Sequence, residues 1–462
     1  MQDISQGYFV ERALLPNGWA DNVRFTVQDG YINTIVSDSE KQYEDILLSG
    51  PVLPTIANLH SHAFQRVMAG VAEVSLDPND SFWSWRDLMY KVVQKLTPND
   101  ARVIATYLYI EMLKAGYSQV GEFHYLHHAQ GGQAYDQPAE MAMQLLQAAD
   151  VSGIGLTLLP VLYSHSGFGA QMPNAGQTRF INTSDSYLNL HRSCEKAILN
   201  YGRQNDIHKL GICFHSLRAV TKNQIETVLE SLSATIPIHI HIAEQQKEVQ
   251  DCLNWSGLRP VQWLHNEIGL TERWCLVHAT HLDAHELNAI ASSQAVAGLC
   301  PTTEANLGDG IFPAVAYEKA KGRWGIGSDS HVSLSIVEEL RTLEYSQRLR
   351  DQQRNRLYQA TQNHVGDHLF QQALLGGNQA CDVALGLAVG HRADFMVLDS
   401  KHPFIGASEN KDLLNRWIFS CNENLIKDVF VAGRQIIQNF HHEHEESSRE
   451  AFMRVIKKVI YD

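Results

Sequence analysis

Eight short apolar runs recur through the middle of this chain, and longer amphipathic stretches precede most of them. The runs cover residues 52–59, 119–123, 154–162, 210–214, 236–242, 274–277, 295–299 and 323–327. Each is rich in Val, Ile, Leu or Gly. Near-continuous apolar strands are buried on both faces, as in a parallel sheet covered by helices. The stretches between them carry the helical period. Val103, Ile104, Tyr107, Leu108 and Met112 share one face in 100–115, as do Ile225, Val228 and Leu232 in 221–232. Eight such units in about 280 residues predict an α/β fold, a (β/α)8 TIM-like barrel.

The flanks have a different pattern. Phe9 to Leu14, Val23 to Val27 and Tyr31 to Val36 are separated by the turn clusters Pro16-Asn17-Gly18 and Asp29-Gly30. This is the pattern of an antiparallel meander. Asp394 to Asp399 and Val429 to Arg434 repeat the behaviour near the other end. The expected organisation is a small β-sandwich domain built from both chain ends, 1–51 and 384–440. The barrel occupies 52–383, and a C-terminal helix lies in 441–462, over 445–460.

Charge and cysteine content narrow the function classes. Lys plus Arg is 37 and Asp plus Glu is 51, so the net charge is 37 − 51 = −14. So acidic a chain is a poor partner for nucleic acid or an anionic membrane, and neither is expected. No apolar run approaches the roughly 18 residues of a membrane helix. The opening residues lack the basic and apolar parts of a secretory signal. The seven cysteines are scattered, with no C-x-x-C pair. A disulfide framework is not expected, and the cytoplasm fits best. Cys213, Cys275 and Cys300 lie in apolar runs and are expected to be inert core residues.

Functional side chains of a barrel sit at the C-terminal ends of its strands. Seven of the eight runs end in candidates: His60-Ser61-His62, His124-Tyr125, His215 with Arg218, His241 with Glu244, His278, Thr302-Thr303-Glu304, and Asp329. The third run ends in Tyr163 and gives no clear signal. Strand period two puts His60 and His62 on one face, where they can grip one ion together. One histidine alone is more often a packing residue; a set at successive strand ends is not. Imidazoles with a carboxylate suit zinc first, with iron or another divalent ion as alternatives. His124, His127 and His128 are expected to be structural, and the tract His441 to Glu446 a solvated helix start.

Asn58-Leu59-His60-Ser61-His62, His241-Ile242-Ala243-Glu244, His278 and Ser328-Asp329 resemble the amidohydrolase superfamily. The H-x-x-E of the fifth run is similar to its deaminase branch. Binuclear members carry a carboxylated lysine at the fourth strand; His215 stands there, which implies one metal. Within the branch, His60 to Arg66, Phe82-Trp83-Ser84-Trp85-Arg86, Glu122 to His128, His215-Ser216-Leu217-Arg218 and Cys300 to Gly310 resemble the formimidoylglutamate deiminases. That resemblance implies hydrolysis of N-formimidoyl-L-glutamate to N-formyl-L-glutamate and ammonia, a step of histidine breakdown. It implies that His60, His62, His241 and Asp329 bind one divalent ion, most simply zinc. It implies that Asp329 takes the water's proton, His278 orients the water and Glu244 shuttles a proton to the leaving nitrogen. Arg86 and Arg218 would each hold a carboxylate of the small dicarboxylate substrate, with Gln65, Tyr125 and His215 adding hydrogen bonds. The segment 81–85 would lid the site. A homodimer is expected, with Arg86 serving its own subunit or a neighbour. The rival readings are an aminohydrolase for a purine, pyrimidine or triazine, a two-metal amidase or lactonase, and a non-catalytic barrel.

Overall fold

Each of the eight runs supplies a strand to one parallel sheet. The computed structural model describes residues 5–74, 82–201, 207–359 and 363–462, without the side chains of residues 82–84. The barrel strands are β1 (Ile56–Ser61), β2 (Tyr117–His124), β3 (Gly155–Leu162), β4 (Ile212–Ser216), β5 (Ile238–Ile242), β6 (Trp274–His278), β7 (Val296–Leu299) and β8 (Arg323–Ile326). They pair in sequence order, all parallel. Backbone bonds just beyond β8 close the ring at the end that carries the histidines. The Asp329 N–H donates to the His60 carbonyl at 3.0 Å, and the His62 N–H donates to the Asp329 carbonyl at 3.2 Å.

The helices form where the period places them, and their ends are chemically capped. The stretch 100–115 is the helix Pro98–Lys114, with a Thr97/Asp100 capping box and Pro98 in the first turn. The stretch 221–232 is the helix Lys222–Ser231, capped by Thr221. Such caps satisfy orphan amide donors, each worth about 1 kcal/mol. The helix Val365–Cys381 packs on β8 and β1 at glycine contacts. A Cβ on Gly376 would lie 1.9 Å from the Trp324 carbonyl oxygen, and one on Gly325 would lie 2.7 Å from the Gly377 nitrogen. Only glycine permits this approach.

The two chain ends form a single nine-stranded sheet. Gln6–Leu15, Gly18–Gln28 and Tyr31–Val36 make the meander, and Phe395–Leu398, Ile426–Val431 and Arg434–Gln438 continue the sheet. Its strands share one aromatic core: Tyr8 stacks on Phe25 at 5.2 Å and Phe395 on Phe430 at 4.3 Å. The run 52–59 belongs to two sheets. Val52–Pro54 pairs antiparallel with the Phe395–Leu398 strand, and only Ile56 onward enters the barrel. Both halves are fully buried, so apolarity alone cannot divide them. Pro54 lacks a ladder donor and marks the break. At the far end His441–His442 is a last short strand, with His442 buried, so the solvated helix start expected there begins only at Glu445. That helix, Glu445–Ile456, is continued by the π-turn Lys457–Tyr461.

Candidate active site

Four donor atoms converge above the strand ends. His241 Nε2 lies 3.0 Å from His60 Nε2 and 3.3 Å from His62 Nε2. Asp329 Oδ1 lies 3.4 Å from both His60 Nε2 and His62 Nε2. These separations are short enough for the donors to share one ion with bonds near 2.0–2.1 Å. Burial is the main force on the three imidazoles. It holds His60 down at about 3 and pushes His62 and His241 below the usual histidine range. They are therefore neutral at pH 7, the form that ligates a metal. His62 Nδ1 donates to the Phe123 carbonyl at 2.9 Å, which leaves the Nε2 lone pair pointing into the cluster. Burial alone would raise the Asp329 carboxyl, but the hydrogen bond and charge of His60, with His278 and His62, outweigh it and hold it down. Three neutral imidazoles and one carboxylate fit a divalent ion.

His278 and Glu244 flank that cluster. His278 Nε2 is 3.7 Å from Glu244 Oε1 and 3.8 Å from Asp329 Oδ2. Its burial would lower its pKa, but the charges of Glu244, Glu304 and Asp329 prevail and raise it well above the usual value. Burial pushes Glu244 up to about 7. Ala243, His278 and Asp329 have φ of +52°, +67° and +47°. Left-handed backbone at non-glycine residues costs about 1–3 kcal/mol each and clusters where side chains must be aimed.

The cavity beside this cluster has two cations in its lining, Arg86 and Arg218. It is lined by His62, Gln65, Trp85, Arg86, Met89, Tyr90, Tyr125, Tyr163, Phe180, His215, Arg218, His241, Glu244, His278, Leu307 and Asp329. The helix Phe82–Lys95 brings in Trp85, Arg86, Met89 and Tyr90, so Arg86 lines the cavity of its own chain. Of the expected lid, Ser81 lies outside the described residues, and so do the side chains of Phe82, Trp83 and Ser84. The Arg86 guanidinium sits 5.6 Å from the Tyr90 ring centre. Gln65 Nε2 donates to the Tyr125 hydroxyl at 3.1 Å, and the buried Gln65 Oε1 has no hydrogen-bond partner among the described residues. Burial and then the Arg218 charge hold the His215 ring well below its usual pKa, so it is a neutral donor or acceptor. His127 and His128 bond backbone carbonyls at 2.9 and 2.8 Å and stand apart from the donor cluster. Two larger clefts, about 1030 and 700 Å³, lie at the other end of the barrel, near Arg323 and Arg273. Neither gathers a comparable donor set among the described residues.

Known proteins carry the same architecture. Residues 52–436 match the model of the amidohydrolase family, and residues 8–46 match that of the formimidoylglutamate deiminase HutF N-terminal domain. A formimidoylglutamate deiminase of Pseudomonas aeruginosa is 55% identical over 98% of this chain and 99% of its own. The chain belongs to the formimidoylglutamate deiminases of the amidohydrolase family. The crystal structure of an amidohydrolase from Brucella melitensis superposes with a TM-score of 0.93 at 43% identity, covering 98% of this chain and all of that one. A zinc-bound adenosine deaminase from Xanthomonas campestris shares the fold, with a TM-score of 0.79 at 18% identity over 97% and 98% of the two chains. Amidohydrolase family members bind a divalent metal.

In this family member the cavity also uses residues that the sequence reading left without a role. Tyr163 closes β3 and lies against His215 at 4.4 Å between ring centres. Gln177 Nε2 donates to the hydroxyls of Tyr163 at 2.6 Å and Tyr90 at 3.3 Å. The position of Tyr163 at a strand end was the available signal, and Tyr90 stands one helical turn beyond Arg86. Asp309 is buried near Glu244 and His278. Burial and the Glu244 charge push its carboxyl up to about 9.

Proposed function

We propose that this chain hydrolyses N-formimidoyl-L-glutamate to N-formyl-L-glutamate and ammonia. The observation that carries the reading is one cavity lined both by residues of a metal-type donor cluster and by Arg86 and Arg218. His60, His62, His241 and Asp329 hold one divalent ion, zinc by preference. Such an ion lowers the pKa of water from 15.7 to about 7 and so supplies a nucleophile at neutral pH. Asp329 turns Oδ1 to the imidazoles and Oδ2 to His278. Oδ2 receives the water's first proton, while His278 Nε2 orients the oxygen toward the formimidoyl carbon. A C–O bond forms and the C=N bond becomes single. Glu244 then delivers a proton to the leaving nitrogen, because amide ion cannot leave at neutral pH. The formimidoyl nitrogen enters as =NH2+, so this proton completes ammonia. The C–N bond breaks, the second water proton passes to the emptied Glu244 carboxylate as the formyl C=O forms, and the proton held on Asp329 leaves with ammonia as ammonium.

Arg86 and Arg218 pair with the two substrate carboxylates by the guanidinium fork. Gln65 Oε1, the Tyr125 hydroxyl and the His215 ring supply hydrogen bonds along the glutamyl chain. The seven cysteines are buried free thiols, which fits a reducing cytoplasm. The chain works as a homodimer, which sedimentation of the native protein tests. Incubation with N-formimidoyl-L-glutamate should release ammonia and N-formylglutamate in equal amounts. Preference for a neutral purine or triazine amine would overturn the assignment.

A further inference from the structure

His278 carries its two nitrogens into different surroundings. Nε2 faces Glu244 and Asp329, and Nδ1 lies 3.3 Å from Glu304 Oε1. Glu304 lies in the helix Pro301–Leu307, which follows β7, and its side chain is 5% exposed as a residue. The same Oε1 accepts the Cys300 backbone N–H at 2.8 Å. An oxygen already held by an amide donor presents only lone pairs to the imidazole, so the proton of that contact is on Nδ1. The ring itself sits on left-handed backbone, φ +67°, which the hydrogen bond helps to hold.

A second reading of this corner fails. Cys300 Sγ, His278 and Glu304 come within 4.8 Å of one another and could in principle hold an ion. Burial, with the charges of Asp329, Glu304 and Glu339, keeps the Cys300 thiol well above its usual pKa. The geometry speaks for a hydrogen-bonded corner instead: Glu304 Oε1 is already engaged by the Cys300 amide at 2.8 Å and the His278 ring at 3.3 Å.

We propose that Glu304 is a positioning residue for the deimination: it fixes the His278 ring with its proton on Nδ1 and Nε2 turned to the reacting oxygen. The proposal rests on the role given to His278 above. It explains why a carboxylate outside the cavity lining is buried beside His278. Removing such an outer partner typically costs 10- to 100-fold.

A double-mutant cycle tests it, on full-length protein with metal content measured for every variant. Glu304→Ala should lower kcat about 10- to 100-fold with KM nearly unchanged. Glu304→Gln should recover most of that loss, because its Oε1 can accept the same Nδ1 proton. In a His278→Gln background, Glu304→Ala should cost less than twofold more. Equal losses in both backgrounds, or loss of metal with Glu304→Ala, would overturn the proposal. Full activity in His278→Gln alone would instead remove the role of His278. If His278→Gln turnover falls below detection, the 15N shifts of the His278 ring decide. An Nδ1–H hydrogen bond to Glu304 whose 15N signature is lost in Glu304→Ala supports the proposal, and an unchanged ring overturns it.

Discussion

Two carboxylates at this centre differ in charge because they differ in neighbours. Asp329 faces imidazoles on both oxygens and stays ionised, whereas burial leaves Glu244 near neutral pH. One can bind a cation while the other carries a proton. Glu244→Gln removes the proton and keeps the shape, so it should retain a full complement of metal and lose at least about 100-fold in kcat. Metal analysis beside steady-state kinetics checks both halves. The arginines of the cavity lining make a charge-specific prediction. Arg218→Ala should lower kcat/KM on the dicarboxylate by about 100-fold or more and change that on an uncharged formamidine by only a few-fold. Equal losses on the two substrates would mean that Arg218 acts by packing.

At the scale of elements, the site depends on how the ring closes between β8 and β1. His60 and His62 come from one side of this seam and Asp329 from the other, joined by the two backbone bonds. Asn58 spans the seam as well, donating from Nδ2 to Ser328 Oγ at 2.6 Å and accepting the Ser328 N–H at 3.0 Å. Behind it the helix Val365–Cys381 presses on the Trp324 carbonyl at Gly376. Gly376→Ala should therefore destabilise the fold by about 3 kcal/mol, read as a lowered Tm. The strands and the clustered histidines were visible in the sequence because each leaves a local pattern: an apolar run, then a polar residue at its end. The split at Pro54 left no such pattern, since both neighbouring strands are buried. Glu304 and Asp309 stood in a recognisable segment and Tyr90 outside any, and their neighbours at the site appear only in contacts across the fold. Arg86 was assigned from its motif, and the helix that carries it to the cavity explains how a loop residue reaches there.

The whole molecule joins two bodies whose contact has its own pH dependence. Trp19 Nε1, in the chain-end sheet, donates to Asp367 Oδ1 of the barrel's last helix at 3.3 Å. Burial pushes the Asp367 carboxyl up to about 6, against the pull of that hydrogen bond. An unfolded aspartate titrates near about 3.9. The folded state thus binds this proton more tightly. Its stabilising contribution is complete below about pH 4 and is lost as pH rises through about 6. Asp367→Asn should be more stable than the parent at pH 8, by about 1–2 kcal/mol, and lose that advantage near pH 4. Melting curves at the two pH values check the sign. Net charge acts at the same scale. A chain at −14 still lines this cavity with Arg86 and Arg218, the cations that the proposed dicarboxylate needs.

The most direct measurement is a metal titration of turnover. Metal-free protein is given zinc in steps, and ammonia release from N-formimidoyl-L-glutamate is followed against ion bound per chain. Activity should be absent without metal, rise linearly, and level off at one ion per chain, with His241→Asn neither binding the ion tightly nor turning over. Full turnover without metal, or a plateau only at two ions, would contradict a centre built from His60, His62, His241 and Asp329.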